Sequence, residues 1–205
     1  MSEITDQTPK TAKLNKPPQR QANILLRKRE YLTTHEIESL REAAKKEGRH
    51  QHRDDMLILL MFRHGLRVSE ISTLRWEQID LKQGIIHVTR LKNGLPSTHP
   101  LRGLEIRGLR KLNRDYDNTP YVFVSERKAP LTTRTIRHII QRAGDKANLG
   151  FTVHPHMLRH STGFYLASNG NDTRSIQGYM GHANIKNTVV YTELSPNRFK
   201  KFWND

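Results

Sequence analysis

Between His154 and Tyr191 the chain reads HPHMLRHSTGFYLASNGNDTRSIQGYMGHANIKNTVVY. Three kinds of side chain in it serve phosphoryl transfer. Arg159 can neutralise a phosphate, His156 and His182 can hydrogen-bond a reacting oxygen and move protons, and Tyr191 carries a hydroxyl able to attack. His156 and Arg159 are three positions apart, so on a helix they share a face. Pro155 suits a first helical turn, Met157, Leu158, Phe164, Tyr165 and Leu166 supply an apolar side, and Asn169-Gly170 is a stop. Asp172 should cap a second helix that runs towards Met180 and closes at Gly181-His182. Tyr191 follows nine positions after His182.

Two further cations stand upstream. Met56 to Phe62 is the apolar centre of a helix expected over Arg53 to His64, and Gly65 ends it. Arg67 follows at once, on a loop that a buried helix would hold rigid, as a preorganised phosphate donor requires. The plain alternative is a surface arginine paired with Glu70. Glu70 reads as a supporting residue that holds the guanidinium or a histidine, and Ser69 as the cap of a short helix containing Ile71 and Leu74. Ile85 to Leu91 alternates as a strand, Asn93-Gly94 is a hairpin turn signal, and Thr98 to Leu101 returns as the partner. Lys92 therefore sits at a hairpin tip. A charged turn residue is the ordinary reading of a lone lysine there; a proton donor to a leaving oxygen is the functional one.

These segments, taken together and in this order, resemble the tyrosine recombinases, the family of DNA integrases and invertases. The resemblance is carried by Gly65-Leu66-Arg67-Val68-Ser69-Glu70, by Lys92 in its turn, by His156-Met157-Leu158-Arg159-His160, by Gly181-His182 and by Tyr191-Thr192. It covers roughly residues 31 to 205 and is closest to the short fimbrial phase-variation invertases, which share the His154–His160 run and Lys92-Asn93-Gly94 followed by Thr98-His99-Pro100-Leu101. The resemblance implies a mainly α fold with a small antiparallel β-sheet, and a site-specific recombinase that inverts a promoter segment flanked by inverted repeats. Tyr191 would attack the scissile phosphate and form a 3′-phosphotyrosine. Arg67 and Arg159 would hold the phosphate, His182 and His156 would bond its oxygens, His156 would take the tyrosine proton and Lys92 would protonate the 5′-oxygen. No cofactor is implied. The implied partners are double-stranded DNA and further protomers, a tetramer on DNA. Only about 30 residues precede the catalytic domain, so grip and synapsis are expected to depend on the tail, on partner protomers or on host DNA-bending proteins. A bacterial, cytoplasmic, nucleoid-associated protein follows.

Composition agrees with a polyanionic partner. The 205 residues carry 35 Lys plus Arg against 20 Asp plus Glu, a net charge of +15, and each phosphate neutralised releases condensed counterions. There is no cysteine, which removes disulfide and thiolate chemistry. No apolar run approaches the ~20 residues of a membrane span, and no secretory signal core is present. Residues 1–30 read as a basic tail, which from Met1 to Arg29 has Lys10, Lys13, Lys16, Arg20, Arg27, Lys28 and Arg29 against Glu3 and Asp6; a DNA-contacting arm and a solvated terminus are equally open.

Thr33-x-x-Glu36 is a capping box for a helix with Ile37, Leu40 and Ala44 on one face, and Lys45 to His52 reads as a loop. Gly103 to Arg114 reads as a basic helix with Leu104, Leu109 and Leu112 inward, and Tyr121 to Ser125 as a short strand. Thr132 to Ala147 is a basic helix capped by Thr132 or Thr133; its exposed Arg134, Arg137, His138 and Arg142 either lie against DNA or form a solvated face. His160 reads as a packed or hydrogen-bonded histidine. With His154 and His156 it also invites a zinc site, against which Arg159 intrudes and no glutamate takes the general-base place. After Ser195-Pro196 a short helix would put Phe199, Phe202 and Trp203 on one face, for docking on a neighbouring protomer or on its own domain. The rival functions are a catalytically idle DNA-binding regulator of the same fold, a zinc-dependent hydrolase and a type IB topoisomerase.

Overall fold

The structure, a computed structural model, describes residues 29–46, 48–91 and 94–193. The chain divides into residues 1–30 and 31–205, and the description below concerns the second unit. Lys92, the proposed tail and the segment about 195–205 lie outside the described residues or almost wholly so.

Helix α1 (Thr34–Lys46) starts on the expected capping box: Thr33 N–H donates to Glu36 Oε2 at 2.8 Å and Glu36 N–H to Thr33 Oγ1 at 3.3 Å. Helix α2 (Gln51–His64) begins two residues before the expected Arg53, and α1 runs to Lys46, so the loop between them is shorter than its polarity suggests. Burial of polar groups is the reason. Arg41 pairs with Asp55 at 2.8 Å, and Asp54 receives Arg53 at 2.8 Å and Arg142 at 3.0 Å. Each charge near the start of α2 thus finds a partner, and the helix can be buried on nearly all sides. It packs against α1, α4 (Gly103–Asp115) and α6 (Pro155–Ser168), with Leu57, Ile58, Leu60 and Met61 fully inside.

Gly65 ends α2 in the left-handed conformation, φ 58°, and α3 (Val68–Ser72) follows directly. Its cap is Arg67, not Ser69. Glu70 reaches back to the Arg67 N–H at 2.9 Å, which places Ser69 inside the first turn. A three-stranded antiparallel sheet comes next: β1 (Ile79–Asp80), β2 (Ile85–Val88) and β3 (Ser97–Pro100), with Ile86 opposite His99. The strands stop short of Leu91, and residues 89–91 leave the ladder. In α4, Leu109 and Leu112 are buried but Leu104 is 42% exposed. Glu105 takes the inward place in that first turn, bonded to Arg63 and His64 at 2.9 Å each. Residues 121–124 form only single bridges, Arg75 to Tyr121 and Val124 to Pro130, not the expected strand; Val122, Phe123 and Val124 are nevertheless core. Helix α5 (Thr133–Lys146) is capped by Thr132, whose side chain accepts the Thr135 N–H. Helix α7 (Thr173–Met180) is capped by Asp172 and closed by Gly181, φ 62°. Helix α8 (Lys186–Glu193) carries Tyr191.

A buried polar chain joins the sheet to α2 and α4. Ser97 Oγ meets His99 Nε2 at 2.9 Å, His99 Nδ1 meets His64 Nδ1 at 3.1 Å, and His64 Nε2 meets Glu105 at 2.9 Å. The His99 ring stacks on Tyr179 with centroids 3.7 Å apart. Burial, then the neighbouring His64 and Arg90, push His99 down to about 3 from 6.5. A histidine held neutral in the fold takes its proton only on unfolding. Stability should therefore be complete above pH 6.5 and fall as pH drops towards 3, with His99 contributing on the order of 2 kcal/mol of loss between pH 6.5 and 5. Denaturant titrations at several pH values should show a shallower acid loss for His99→Gln than for the unmodified chain; equal slopes would refute this.

Candidate active site

Helix α6 delivers Arg159 from a buried face. Pro155 occupies its first turn, and Met157, Leu158 and Ser161 anchor the same side. The Arg159 guanidinium donates to the carbonyls of Gly65 and, at 2.7 Å, Met180. These are the last turns of α2 and α7, where helical carbonyls lack intrahelical partners and carry the negative end of the dipole. The arginine thereby clamps both glycine turns, with N–H groups left over from its five for an anion.

Arg67 lies on the other side, bonded to Glu70 Oε1 at 2.6 Å, with 21% of its side chain exposed. Both readings of this pair hold in part: it is an ion pair, but its carboxylate is buried. Glu70 Oε2 also accepts from Arg90 at 3.0 Å. Burial alone would raise the Glu70 carboxyl; the Arg67 N–H and the two guanidinium groups outweigh it and hold the carboxyl below its ordinary value. Arg159 is pushed down to about 9, first by burial, then by Arg67 and Arg90. It remains charged at neutral pH.

His182 follows the αL turn and is 7% exposed. Its Nδ1 lies 2.8 Å from Thr188 Oγ1, and its carbonyl accepts from Gln177 at 2.9 Å. Burial, then Arg159, Arg67 and Arg90, push it down to about 4, so it is a neutral imidazole. If Thr188 donates to Nδ1, Nε2 carries the proton and can donate to a phosphate oxygen.

Tyr191 is 2% exposed. Its ring stands edge-on to Phe164, centroids 5.2 Å apart, and 6.2 Å from His182. Its hydroxyl lies 3.0 Å from His160 Nδ1. Burial raises the phenol above its ordinary value, against the pull of Arg159 and Arg67. The imidazole at the hydroxyl is thus that of His160, expected only as a packed or supporting histidine. His156, expected there, stands exposed in the first turn of α6, its ring 6.4 Å from that of His160. One helical turn separates the two, and the deeper position faces α8.

Arg67, Arg159, His182 and Tyr191 are thus brought together, with Glu70 and His160 in contact with them. Lys92 falls outside the described residues, though its flanks are tied to the site: Leu91 N–H donates to Glu70 at 3.4 Å and Leu95 N–H to the Gly181 carbonyl at 3.3 Å. Arg134, Arg137 and His138 are exposed on α5 as expected; Arg142 is not free there, being held by Asp54. Among the described residues no three His, Asp or Glu side chains gather as a metal site, so the zinc-hydrolase alternative has no donor set there. Arg90, Thr188 and Gly163 were not foreseen. Only Arg90 left a trace in the sequence, a charge where the strand pattern calls for an inward residue.

The fold and this arrangement define a phosphoryl-transfer domain of the recombinase type. The phage integrase family model matches residues 30–198, and the chain belongs to that family; it is a tyrosine recombinase. It is 45% identical over 182 residues to the type 1 fimbriae regulatory protein FimB of Escherichia coli (strain K12), covering 86% of this chain and 90% of that protein. Its identity to FimE of the same strain is 41%, covering 86% and 91%. The crystal structure of XerA recombinase superposes with a TM-score of 0.72 at 30% identity, covering 84% of this chain and 63% of that one. The expected mainly α fold with a small antiparallel sheet and the expected kinship to fimbrial invertases are both borne out.

Gly163 on α6 leaves room for the tyrosine. A Cβ there would come 2.5 Å from the Tyr191 ring. Gly163→Ala should displace the ring, cost about 1–3 kcal/mol and abolish most tyrosine-dependent DNA cleavage. Chemical denaturation and a cleavage assay check both; full cleavage with unchanged stability would contradict the packing described.

Proposed function

We propose that this recombinase inverts a DNA segment flanked by inverted repeats, of the kind that controls fimbrial gene expression. The support is its similarity to FimB and FimE over nearly their whole lengths. The observation that carries the chemistry is the convergence of Tyr191 with a neutral His182, His160 and two guanidinium groups.

The mechanism follows from charge. A phenol with an ordinary pKa of ~10 is ionised to about one part in a thousand at pH 7, a cost near 4 kcal/mol, and burial of Tyr191 raises that cost. His160, at 3.0 Å, is placed to take the proton as the oxygen attacks; this assigns to His160 the step that the sequence suggested for His156. His156 is left to bond a phosphate oxygen. Attack adds negative charge to the non-bridging oxygens, and Arg67 and Arg159 neutralise it where other phosphoryl-transfer enzymes use magnesium. His182, neutral, donates to the same oxygens. Lys92 protonates the departing 5′-oxygen. The phosphotyrosine conserves the energy of the broken bond, so a second strand can reseal without ATP.

Around this centre, residues 31–205 form the catalytic domain, the basic residues 1–30 add non-specific DNA affinity, and Arg134, Arg137 and His138 contact the duplex. Protomers assemble as a tetramer on paired sites, aided by the segment about 195–205 and by host DNA-bending proteins. The protein works in the bacterial cytoplasm on the nucleoid. Among the described residues no helix is long and apolar enough to cross a membrane.

Two variants test the chemistry on nicked inverted-repeat DNA. Tyr191→Phe should bind but form no denaturation-resistant adduct, and an adduct in that variant would refute the nucleophile. Lys92→Ala should cleave about 100-fold slower and recover when sulfur replaces the leaving oxygen; no recovery would assign Lys92 to positioning. Inverted product in circular substrates separates an invertase from a topoisomerase, which would only relax supercoils.

A further inference from the structure

Arg90 has no place in the reaction just described, yet its two terminal nitrogens make four hydrogen bonds, and only its buried Nε is left without a partner. It has no exposed surface. Nη1 donates to Glu70 at 3.0 Å and to the Gly65 carbonyl at 3.2 Å. Nη2 donates to the carbonyls of His64 at 3.1 Å and Tyr179 at 2.7 Å. The side chain fills a slot between two glycines: a Cβ would come 2.7 Å from Arg90 Cβ at Gly94, and 2.6 Å from its Cγ at Gly181. The glycine of the Gly181-His182 pair is therefore needed for close approach as well as for its positive φ.

We propose that Arg90 is a positioning residue for the two phosphate-binding arginines. It holds Glu70, and through it Arg67. It also ties together the ends of α2 and α7, on whose carbonyls Arg159 rests. The proposal depends on Arg67 and Arg159 being phosphate ligands.

Packing alone would not put an arginine here. A buried guanidinium carries a desolvation cost, and an apolar side chain of similar size would fill the slot without it. The four N–H groups on the two terminal nitrogens of a planar guanidinium serve one carboxylate and three carbonyls at once, which neither an ammonium nor an apolar side chain can do. The charge matters too. Arg67, Arg90 and Arg159 stand against the single carboxylate of Glu70, an excess of two positive charges. A phosphodiester under attack by a phenolate carries two negative charges, so the pocket matches the transition state better than the ground state.

The test compares single-turnover cleavage of nicked duplexes carrying either an ordinary scissile phosphodiester or an uncharged methylphosphonate. Loss of one charged oxygen lowers the demand on the arginines. Arg67→Ala provides the reference, and should be far less impaired on the methylphosphonate. Arg90→Met should cleave the phosphodiester roughly 10- to 100-fold slower and regain most of that loss on the methylphosphonate, while binding DNA as before. Arg90→Lys, which keeps the charge but not the fork, should fall between. If Arg67→Ala is relieved and a folded Arg90→Met is equally slow on both substrates, Arg90 is merely structural and the proposal fails. Should Arg90→Met not fold, Arg90→Lys carries the same comparison with the same two outcomes. If Arg67→Ala is itself not relieved, the phosphate-clamp reading falls, and this proposal with it.

Discussion

The structure depends on holding like charges together in one buried place. Arg67, Arg90 and Arg159 converge on one loop, and mutual repulsion in a buried site would open it. The fold counters this with one carboxylate and with helix ends. Glu70 takes two of the guanidinium groups, and the Gly65 carbonyl takes Arg90 and Arg159. Carbonyls at a helix C-terminus have no intrahelical partners, so they can accept these bonds without giving up others. The two αL glycines are the means: each stops a helix abruptly and turns its last carbonyls towards the arginines.

This arrangement explains the state of the other groups. Burial first, and then the positive charge beside it, opposes protonation of the His182 imidazole, so it is neutral and can donate a hydrogen bond without adding to the repulsion among the arginines. The same field favours an ionised Tyr191, but burial outweighs it. The phenol therefore remains protonated until a base acts, and His160 is the imidazole within reach. A preorganised cationic pocket around a buried, protonated tyrosine is consistent with the proposed role of Tyr191 as a nucleophile that attacks only when a phosphate is in place.

The central helix α2 gives the pocket its rigidity. It is buried on nearly every side, and its polar first turn is neutralised by Arg41, Asp54, Asp55 and Arg142. Its last turn continues into the Ser97–His99–His64–Glu105 chain, so the sheet and α4 are bonded to the same helix that ends at the arginine loop. Leu91 and Leu95, on either side of Lys92 in the chain, are both bonded to residues of the site.

Much of this was legible in the sequence, because its signals are local. A capping box, a proline in a first turn, a glycine after a buried run and a histidine nine positions before a tyrosine each depend on neighbours along the chain. These marked the helices and the family, and they pointed to most of the side chains that the fold brings together. What tertiary structure alone decided depends on approach between distant segments. Which histidine meets Tyr191 turns on the packing of α6 against α8, and the sequence favoured His156 over His160. That Leu104 faces outward turns on Glu105 being needed inside by Arg63 and His64. That Arg142 is tied down turns on Asp54, 88 positions away. Arg90 is the clearest case: its partners are a carboxylate and three carbonyls from two helix ends, and a backbone carbonyl leaves no mark in a sequence.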